Sequence, residues 1–216
     1  MNASTIQQTL DSALELHKSG RLLEAEQLYR QVLERQPEQA VALHHLGLIA
    51  HQSGRSDLAL QLLGRALAVN PNWPEAYCNL GNILREMGRL DEAIAAQRQA
   101  IAINSDFFVA HNSLGHALCD RGQLDEGIAA IRRAIAIKSD YFEAHYNLGN
   151  ALKQKRMLDE AELAYRRAIA LNPRLAEPYS NLGNVLREKG ELGEAISSYR
   201  QAILLNPSLA ESFTNL

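Results

Sequence analysis

A Leu-Gly pair recurs along this sequence at a constant spacing of 34 residues. One further step of 34 residues beyond the last pair reaches Leu216, the last residue. The pairs are Leu46-Gly47, Leu80-Gly81, Leu114-Gly115, Leu148-Gly149 and Leu182-Gly183. A second landmark keeps the same step without a gap, at Ala66, Ala100, Ala134, Ala168 and Ala202. A fixed period of this length, kept without insertions, predicts a repeat protein whose units bury their apolar faces against one another.

The period divides the chain into six units and the start of a seventh, and we expect residues 1–216 to form one domain. The first unit is atypical because Ser12 and Ala13 stand where other units have Leu-Gly, as is common in terminal repeats. The sequence stops midway through a predicted first helix, so we expect the chain to be truncated. The units are 6–39, 40–73, 74–107, 108–141, 142–175 and 176–209, followed by the partial unit 210–216.

Each unit reads as two helices joined by a turn. Positions 4, 7, 8 and 11 of a unit carry mostly apolar or small residues, for example Tyr77, Leu80, Gly81 and Leu84, which is helical spacing. Position 18 is Asp in four units, and we predict that it caps the second helix. Position 15 is typical of the left-handed residue that ends a helix, being Gly20, Gly54, Gly88, Gly122 and Gly190. The sequence therefore predicts an all-α chain of helix-turn-helix repeats.

Three residues depart from the repeat. Gly127 stands inside a predicted helix, where glycine costs about 1 kcal/mol relative to alanine. Arg156 replaces the glycine of position 15, so we expect a less favourable turn there. Gln97 occupies position 24, where three other units have Tyr. These departures predict looser packing in the middle of the array than at its flanks.

The composition limits the classes of function. The formal net charge is −3, whereas nucleic-acid binders are usually strongly basic. The two cysteines, Cys78 and Cys119, lack the spacing of a zinc site or a disulfide framework and fit a reducing compartment. The sequence has no secretory signal and no apolar run of the roughly 18 residues that a membrane span needs. We expect a cytoplasmic protein that binds neither nucleic acid nor membrane.

The period and its Leu-Gly, Ala, Ala and Pro landmarks resemble the tetratricopeptide repeat family over about residues 6 to 216. The resemblance implies a right-handed α-α superhelix whose first helices line a concave groove. It also implies a partner that is a protein or peptide. The lysines and arginine with which some members of the family clamp a terminal carboxylate are missing from the matching positions. The regular array is most similar to the superhelical region of O-GlcNAc transferases and their bacterial relatives.

Asparagines recur at two positions that helical geometry turns away from the packing face. Position 6 carries Asn79, Asn147, Asn181 and Asn215. Position 9 carries Asn82, Asn150 and Asn184, with His116 in one unit. Position 12 adds the basic residues Arg85, Lys153 and Arg187. Because an Asn amide both donates and accepts hydrogen bonds, rows of amides suit the backbone of an extended peptide. The asparagines, His116 and the three basic residues, eleven in all, form the predicted peptide-binding site.

Other interpretations stay open. The amides could be general repeat residues that hydrogen-bond locally or to water. The chain could be the N-terminal substrate-recognition part of a larger O-GlcNAc-transferase-like glycosyltransferase. A row of cations at position 12 suggests nucleic acid, against which the net charge argues.

The sequence holds no pattern of a catalytic site, cofactor site or metal site, so we expect no enzyme activity in this chain. Cys78 and Cys119 fall on groove positions, where we expect them to be exposed. Without a capping helix after residue 216, the last unit leaves an apolar face open, which suggests end-to-end self-association.

Overall fold

The computed structural model describes residues 3–209 and contains only helices in that range, which confirms the predicted all-α fold class. The first helix of each pair is followed, after a turn of two or three residues, by the second. The first helices are α1 (Ala3–Lys18), α3 (Ala40–Gln52), α5 (Pro74–Glu86), α7 (Phe108–Asp120), α9 (Phe142–Gln154) and α11 (Ala176–Lys189). The second helices are α2 (Leu22–Arg35), α4 (Ser56–Val69), α6 (Leu90–Ile103), α8 (Leu124–Ile137), α10 (Leu158–Leu171) and α12 (Leu192–Leu205).

The turns within the pairs use a left-handed residue at position 15, as the sequence predicts. The five glycines there have φ between 75° and 86°. Arg156 adopts the same conformation with φ 66° and is the non-glycine residue with positive φ in the described chain. Its Cβ makes this conformation costlier than it is for glycine, so the α9–α10 turn is the less favourable one.

The predicted aspartate caps are wrong. The second helices begin before Asp57, Asp91, Asp125 and Asp159, so these carboxylates lie inside the first turn. The N-cap residues there, such as Arg55 and Arg89, make no side-chain capping hydrogen bond. A carboxylate in the first turn still interacts favourably with the positive end of the helix dipole.

Gly127 is required by packing, because it lies at a close contact between α7 and α8. A Cβ on Gly127 would meet Cys119 Sγ and would lie 2.8 Å from the carbonyl oxygen of Gly115. A Cβ on Gly115 would lie 2.7 Å from the carbonyl oxygen of Gly127. The two glycines therefore allow α7 and α8 to touch backbone to backbone.

The described residues divide into two compact units, of which the first ends at residue 105 and the second begins at residue 106. Unit 1 holds α1–α6 and unit 2 holds α7–α12. A core in unit 1 is built around Tyr29, Leu43 and Leu63, and a core in unit 2 around Tyr165, Leu152 and Leu186. In the stretch from residue 3 to residue 209, no helix is long and apolar enough to cross a membrane. The predicted partial unit at 210–216 lies outside the described residues, and the single domain remains a prediction.

Candidate functional site

The first helices lie side by side within each unit. In unit 1 α3 packs against α5, and in unit 2 α9 packs against both α7 and α11. Within each unit, we call the surface that these helices present through positions 6, 9 and 12 the first-helix face. Six of the predicted site residues on it are half-buried asparagines: Asn79, Asn82, Asn147, Asn150, Asn181 and Asn184.

Each asparagine of position 9 accepts a hydrogen bond from position 24 of its own repeat. The Tyr165 hydroxyl donates to Asn150 Oδ1 at 2.8 Å, and the Tyr199 hydroxyl donates to Asn184 Oδ1 at 2.9 Å. Gln97 takes the place of tyrosine and donates from Nε2 to Asn82 Oδ1 at 3.1 Å. Burial raises the pKa of Tyr165 and of Tyr199, so both hydroxyls keep the proton that they donate.

Each described asparagine of position 6 reaches position 5 of the preceding repeat. Asn147 Nδ2 donates to Asn112 Oδ1 at 3.1 Å. Asn181 Nδ2 donates to the Tyr146 hydroxyl at 3.2 Å and to Asn150 Oδ1 at 3.0 Å.

In unit 1, Asn79 Nδ2 lies 3.0 Å from His44 Nε2, which accepts when the imidazole proton is on Nδ1. Local hydrogen bonds, which the sequence analysis left open as an alternative, are therefore present at the asparagines of both positions. Each amide uses one of its two polar atoms in them.

These bonds orient the amides and leave a defined half of each one unused. At position 9 the oxygen is engaged, and at position 6 the nitrogen is. Within the described residues, no hydrogen bond uses the Nδ2 of Asn82, Asn150 or Asn184. The same holds for the Oδ1 of Asn79, Asn147 and Asn181. The first-helix face thus offers donors from one row and acceptors from the other.

The remaining predicted site residues have less uniform surroundings. Arg85 and Lys153 are half-buried near the ends of α5 and α9, and Arg187 is exposed near the end of α11. His116 is half-buried, with Nε2 3.9 Å from Asp120 Oδ1. Asn215 lies outside the described residues. The structure therefore groups the asparagines into one pattern and does not extend that pattern to the basic residues.

A cavity of about 450 Å³ opens on the first-helix face of unit 2. Asn150, Asn181 and Lys153 line it, together with the buried partner Tyr165. Unit 2 is therefore where predicted site residues of both positions meet in one depression.

The first-helix face of unit 1 is aromatic where unit 2 is amide-rich. The ring of His45 stacks on Tyr29 with centroids 5.6 Å apart and meets the edges of His17 and His44. His44 also packs against Trp73 at 4.5 Å. Burial lowers the pKa of His44 and of His45 to about 4, so both imidazoles are neutral at pH 7. Sequence reasoning did not find this cluster, because its residues come from three helices, α1, α2 and α3, and from the turn before α5.

The expected exposure of the cysteines is wrong. Cys78 and Cys119 are 2% and 7% exposed, and both are free thiols. Burial raises the pKa of the Cys119 thiol to about 11, which leaves little reactive thiolate at pH 7. Cys119 fills the space above Gly127 instead of facing a groove.

The hydrogen-bond partners of position 9 were also missed, although the sequence carries a signal for them. Positions 9 and 24 carry matched residues in four of the six repeats, whereas Leu14 with Tyr29 and His116 with Ile131 are not matched. The matched pairs are Leu48 with Leu63, Asn82 with Gln97, Asn150 with Tyr165, and Asn184 with Tyr199. An apolar residue thus faces an apolar residue, and an amide faces a group that can donate to it.

No three His, Cys, Asp or Glu side chains come together in a way that could hold a metal ion in the part of the chain that the structure describes. Family models described as tetratricopeptide repeats match residues 38–106, 142–175 and 164–197. A further model described as a TPR repeat matches residues 115–155 and 183–216. No curated protein matches the chain.

Several solved structures are similar to the chain. MamA is 25% identical, with 77% of this chain and 97% of MamA covered and a TM-score of 0.66. PilF of Pseudomonas aeruginosa is 17% identical, with 94% and 93% covered and a TM-score of 0.82. YrrB, described as a TPR protein with an unusual peptide-binding site, is 22% identical, with 87% and 98% covered and a TM-score of 0.63. PilF and YrrB share the fold at identities that carry no functional argument by themselves.

Proposed function

The chain belongs to the tetratricopeptide repeat family, and we propose that it binds a protein partner by holding an extended segment of that partner on its first-helix face. Family membership indicates a protein-interaction scaffold. The peptide-holding role of the asparagines is the finer proposal.

The observation that carries the proposal is the fixed orientation of the amides. A peptide backbone alternates N–H donors with C=O acceptors whatever its side chains are. The unused Nδ2 groups of position 9 match its carbonyls, and the unused Oδ1 atoms of position 6 match its N–H groups. Because the Tyr, Gln and Asn partners already hold these amides in place, binding orders fewer side chains and costs less conformational entropy.

The hypotheses of a transferase-like parent protein, a catalytic role and a nucleic-acid partner have less support than peptide binding. YrrB, which has the same fold, is a TPR protein with an unusual peptide-binding site, and the proposal agrees with this. The relatives compared give no support to an O-GlcNAc-transferase-like parent protein. No observation favours a catalytic role for this chain or a nucleic-acid partner, so we propose neither. A cytoplasmic location stays part of the proposal and agrees with two free thiols.

End-to-end self-association also stays part of the proposal. The last described helix, α12, exposes Leu192, Ile196 and Leu204 by 59%, 51% and 75%. Apolar side chains presented on one helix are what a second copy would cover. Sedimentation velocity over a hundredfold range of concentration tests this, and a single monomer peak throughout would contradict it.

The test of partner binding begins with peptides selected from a random 12-residue phage library on the wild-type protein. Their synthetic forms are then titrated against the variant Asn79→Ala/Asn147→Ala/Asn181→Ala by fluorescence anisotropy. Each lost hydrogen bond is worth about 0.5–1.5 kcal/mol, so we expect affinity to fall roughly 10-fold or more.

The control variant is Gln27→Ala/Gln61→Ala/Gln99→Ala, which removes three exposed amides from second helices. It should bind as the wild type does, and both variants should keep the helical circular dichroism of the wild type. Equal affinity of the asparagine variant and the wild type would show that the amides do not hold the peptide.

A further inference from the structure

The cavity on the first-helix face of unit 2 carries an uncompensated positive charge. Two cations and one carboxylate line it: Lys153, Arg156 and Glu188. Arg156 Nη1 lies 2.6 Å from Glu188 Oε2, so that pair neutralises itself. Lys153 is half-buried, and its ammonium forms no ion pair with any residue between 3 and 209. The cavity is therefore locally positive, in a chain whose net charge is −3.

The amide beside Lys153 can only donate into the cavity. Asn150 Oδ1 already accepts from the Tyr165 hydroxyl and from Asn181 Nδ2, which uses both lone pairs of the oxygen. Its two Nδ2 hydrogens remain. Residues three apart on a helix are neighbours on one face, so the Lys153 ammonium and the Asn150 Nδ2 can reach the same group.

A group that meets an ammonium and an amide N–H together must be an acceptor, and a single negative charge balances the single free cation. A carboxylate fits both conditions, whereas a phosphoryl group brings a charge of about −1.5 to −2 at pH 7.

We propose that this cavity binds a carboxylate of the partner segment, supplied by an Asp or Glu side chain or by the C-terminus. The inference rests on the proposed function, because it assumes that a segment lies on the first-helix face.

We propose the charge preference for this cavity, where Lys153 and the oriented Asn150 amide lie together. Elsewhere at position 12, His51 Nε2 lies 3.1 Å from Glu86 Oε2, Cys119 is buried, and Arg187 is exposed. The first-helix face thus binds the partner's backbone through amides in several repeats. It binds an acidic group of the partner in one repeat.

The probes are peptides selected from the random 12-residue library on the wild-type protein, each resynthesised in four forms. The forms have a free or an amidated C-terminus, and acidic side chains either kept or changed to Asn and Gln. We expect the variant Lys153→Gln to bind the acidic forms about 5- to 30-fold more weakly than the wild type does, as for the loss of one charge-assisted hydrogen bond. The matched control is Lys155→Gln, since Lys155 is paired with Asp125 and is exposed.

The four peptide forms distinguish the two sources of the carboxylate. The variants distinguish failure of this inference from failure of the proposed function. Loss of binding on amidation identifies a terminal carboxylate, and loss on changing Asp and Glu identifies a side chain. Unchanged affinity in all neutral forms, or in Lys153→Gln, overturns the carboxylate site while the amide rows stand. If no peptide is selected, or if the asparagine variant binds every peptide as the wild type does, the proposed function fails and this inference fails with it.

Discussion

At the scale of single residues, three of the four residues of the repeated Asn-Leu-Gly-Asn segment have a defined partner. The first asparagine, as in Asn147, donates to the preceding repeat. The glycine leaves room for position 24, since a Cβ on Gly149 would lie 2.7 Å from Tyr165 Cδ1. The second asparagine, Asn150, accepts from that same tyrosine. The motif therefore combines packing inside the repeat with the orientation of two polar groups outside it.

The first prediction compares how removal of the hydroxyl from each of two buried tyrosines changes the free energy of unfolding. Tyr165→Phe removes the hydroxyl that holds Asn150 Oδ1 and should lower the free energy of unfolding by about 1 kcal/mol. Tyr29→Phe removes a buried hydroxyl that has no hydrogen-bond partner among the described residues, so it should be neutral or stabilising. Urea denaturation of both variants checks this. A larger loss for Tyr29→Phe than for Tyr165→Phe would mean that the tyrosine–asparagine bond is not what holds the amide.

The second prediction concerns two glycines within helices. Gly127→Ala should destabilise the protein by about 1–3 kcal/mol, because the new Cβ meets Cys119 Sγ and the backbone of Gly115. Gly64→Ala should stabilise it by about 0.5–1 kcal/mol, because nothing lies within 4 Å of the added Cβ and alanine favours the helix. Opposite shifts of the urea midpoint are expected, and a stabilising Gly127→Ala would contradict the close contact of α7 and α8.

At the scale of helices and turns, the histidine cluster makes unit 1 sensitive to acid. Unfolded imidazoles take up protons below their ordinary pKa of about 6.5. Folded His44 and His45 remain neutral down to a pKa of about 4. The unfolded state therefore binds more protons between these two values. The stability of unit 1 should be greatest above pH 6.5 and should fall as the pH drops towards 4, by on the order of 3 kcal/mol for the buried His44.

Native-state hydrogen exchange of amides in α3 and α5, compared between pH 7 and pH 5, measures this effect. The variant His44→Gln/His45→Gln removes both imidazoles and keeps an acceptor for Asn79. Its opening free energy should depend less on pH than that of the wild type. An equal dependence in the two proteins would place the acid sensitivity in other groups.

The helix pairs, the left-handed turns and the asparagine rows could be predicted because they recur at the same positions of successive repeats. The period gives the helix pairs and the left-handed turns, because the same backbone demand recurs at position 15 in each unit, with Arg156 adopting φ 66° in place of glycine. It gives the asparagine rows for the same reason. The buried Cys119 and the role of Gly127 escaped prediction, since both depend on one close contact that occurs in a single repeat. The aspartates were misplaced because first-turn and capping carboxylates differ by one or two residues in sequence.

At the scale of the whole molecule, the two units present the same kind of surface with different chemistry. Unit 2 carries the asparagine pairs, the cavity and Lys153. Unit 1 has the aromatic cluster around His45, in which His44 contacts Asn79. We expect the partner to be held mainly through its backbone where the amide pairs occur, with the acidic preference confined to unit 2.

The most direct test follows the side-chain amides of position 9 by ¹⁵N NMR while a selected peptide is added. We predict that the Nδ2 resonances of Asn82, Asn150 or Asn184 in the occupied unit shift in proportion to bound peptide. The Nε2 resonances of the exposed Gln27 and Gln61 on second helices should stay in place. Position-9 resonances that do not move at saturating peptide would contradict the claim that these oriented amides bind the partner's backbone.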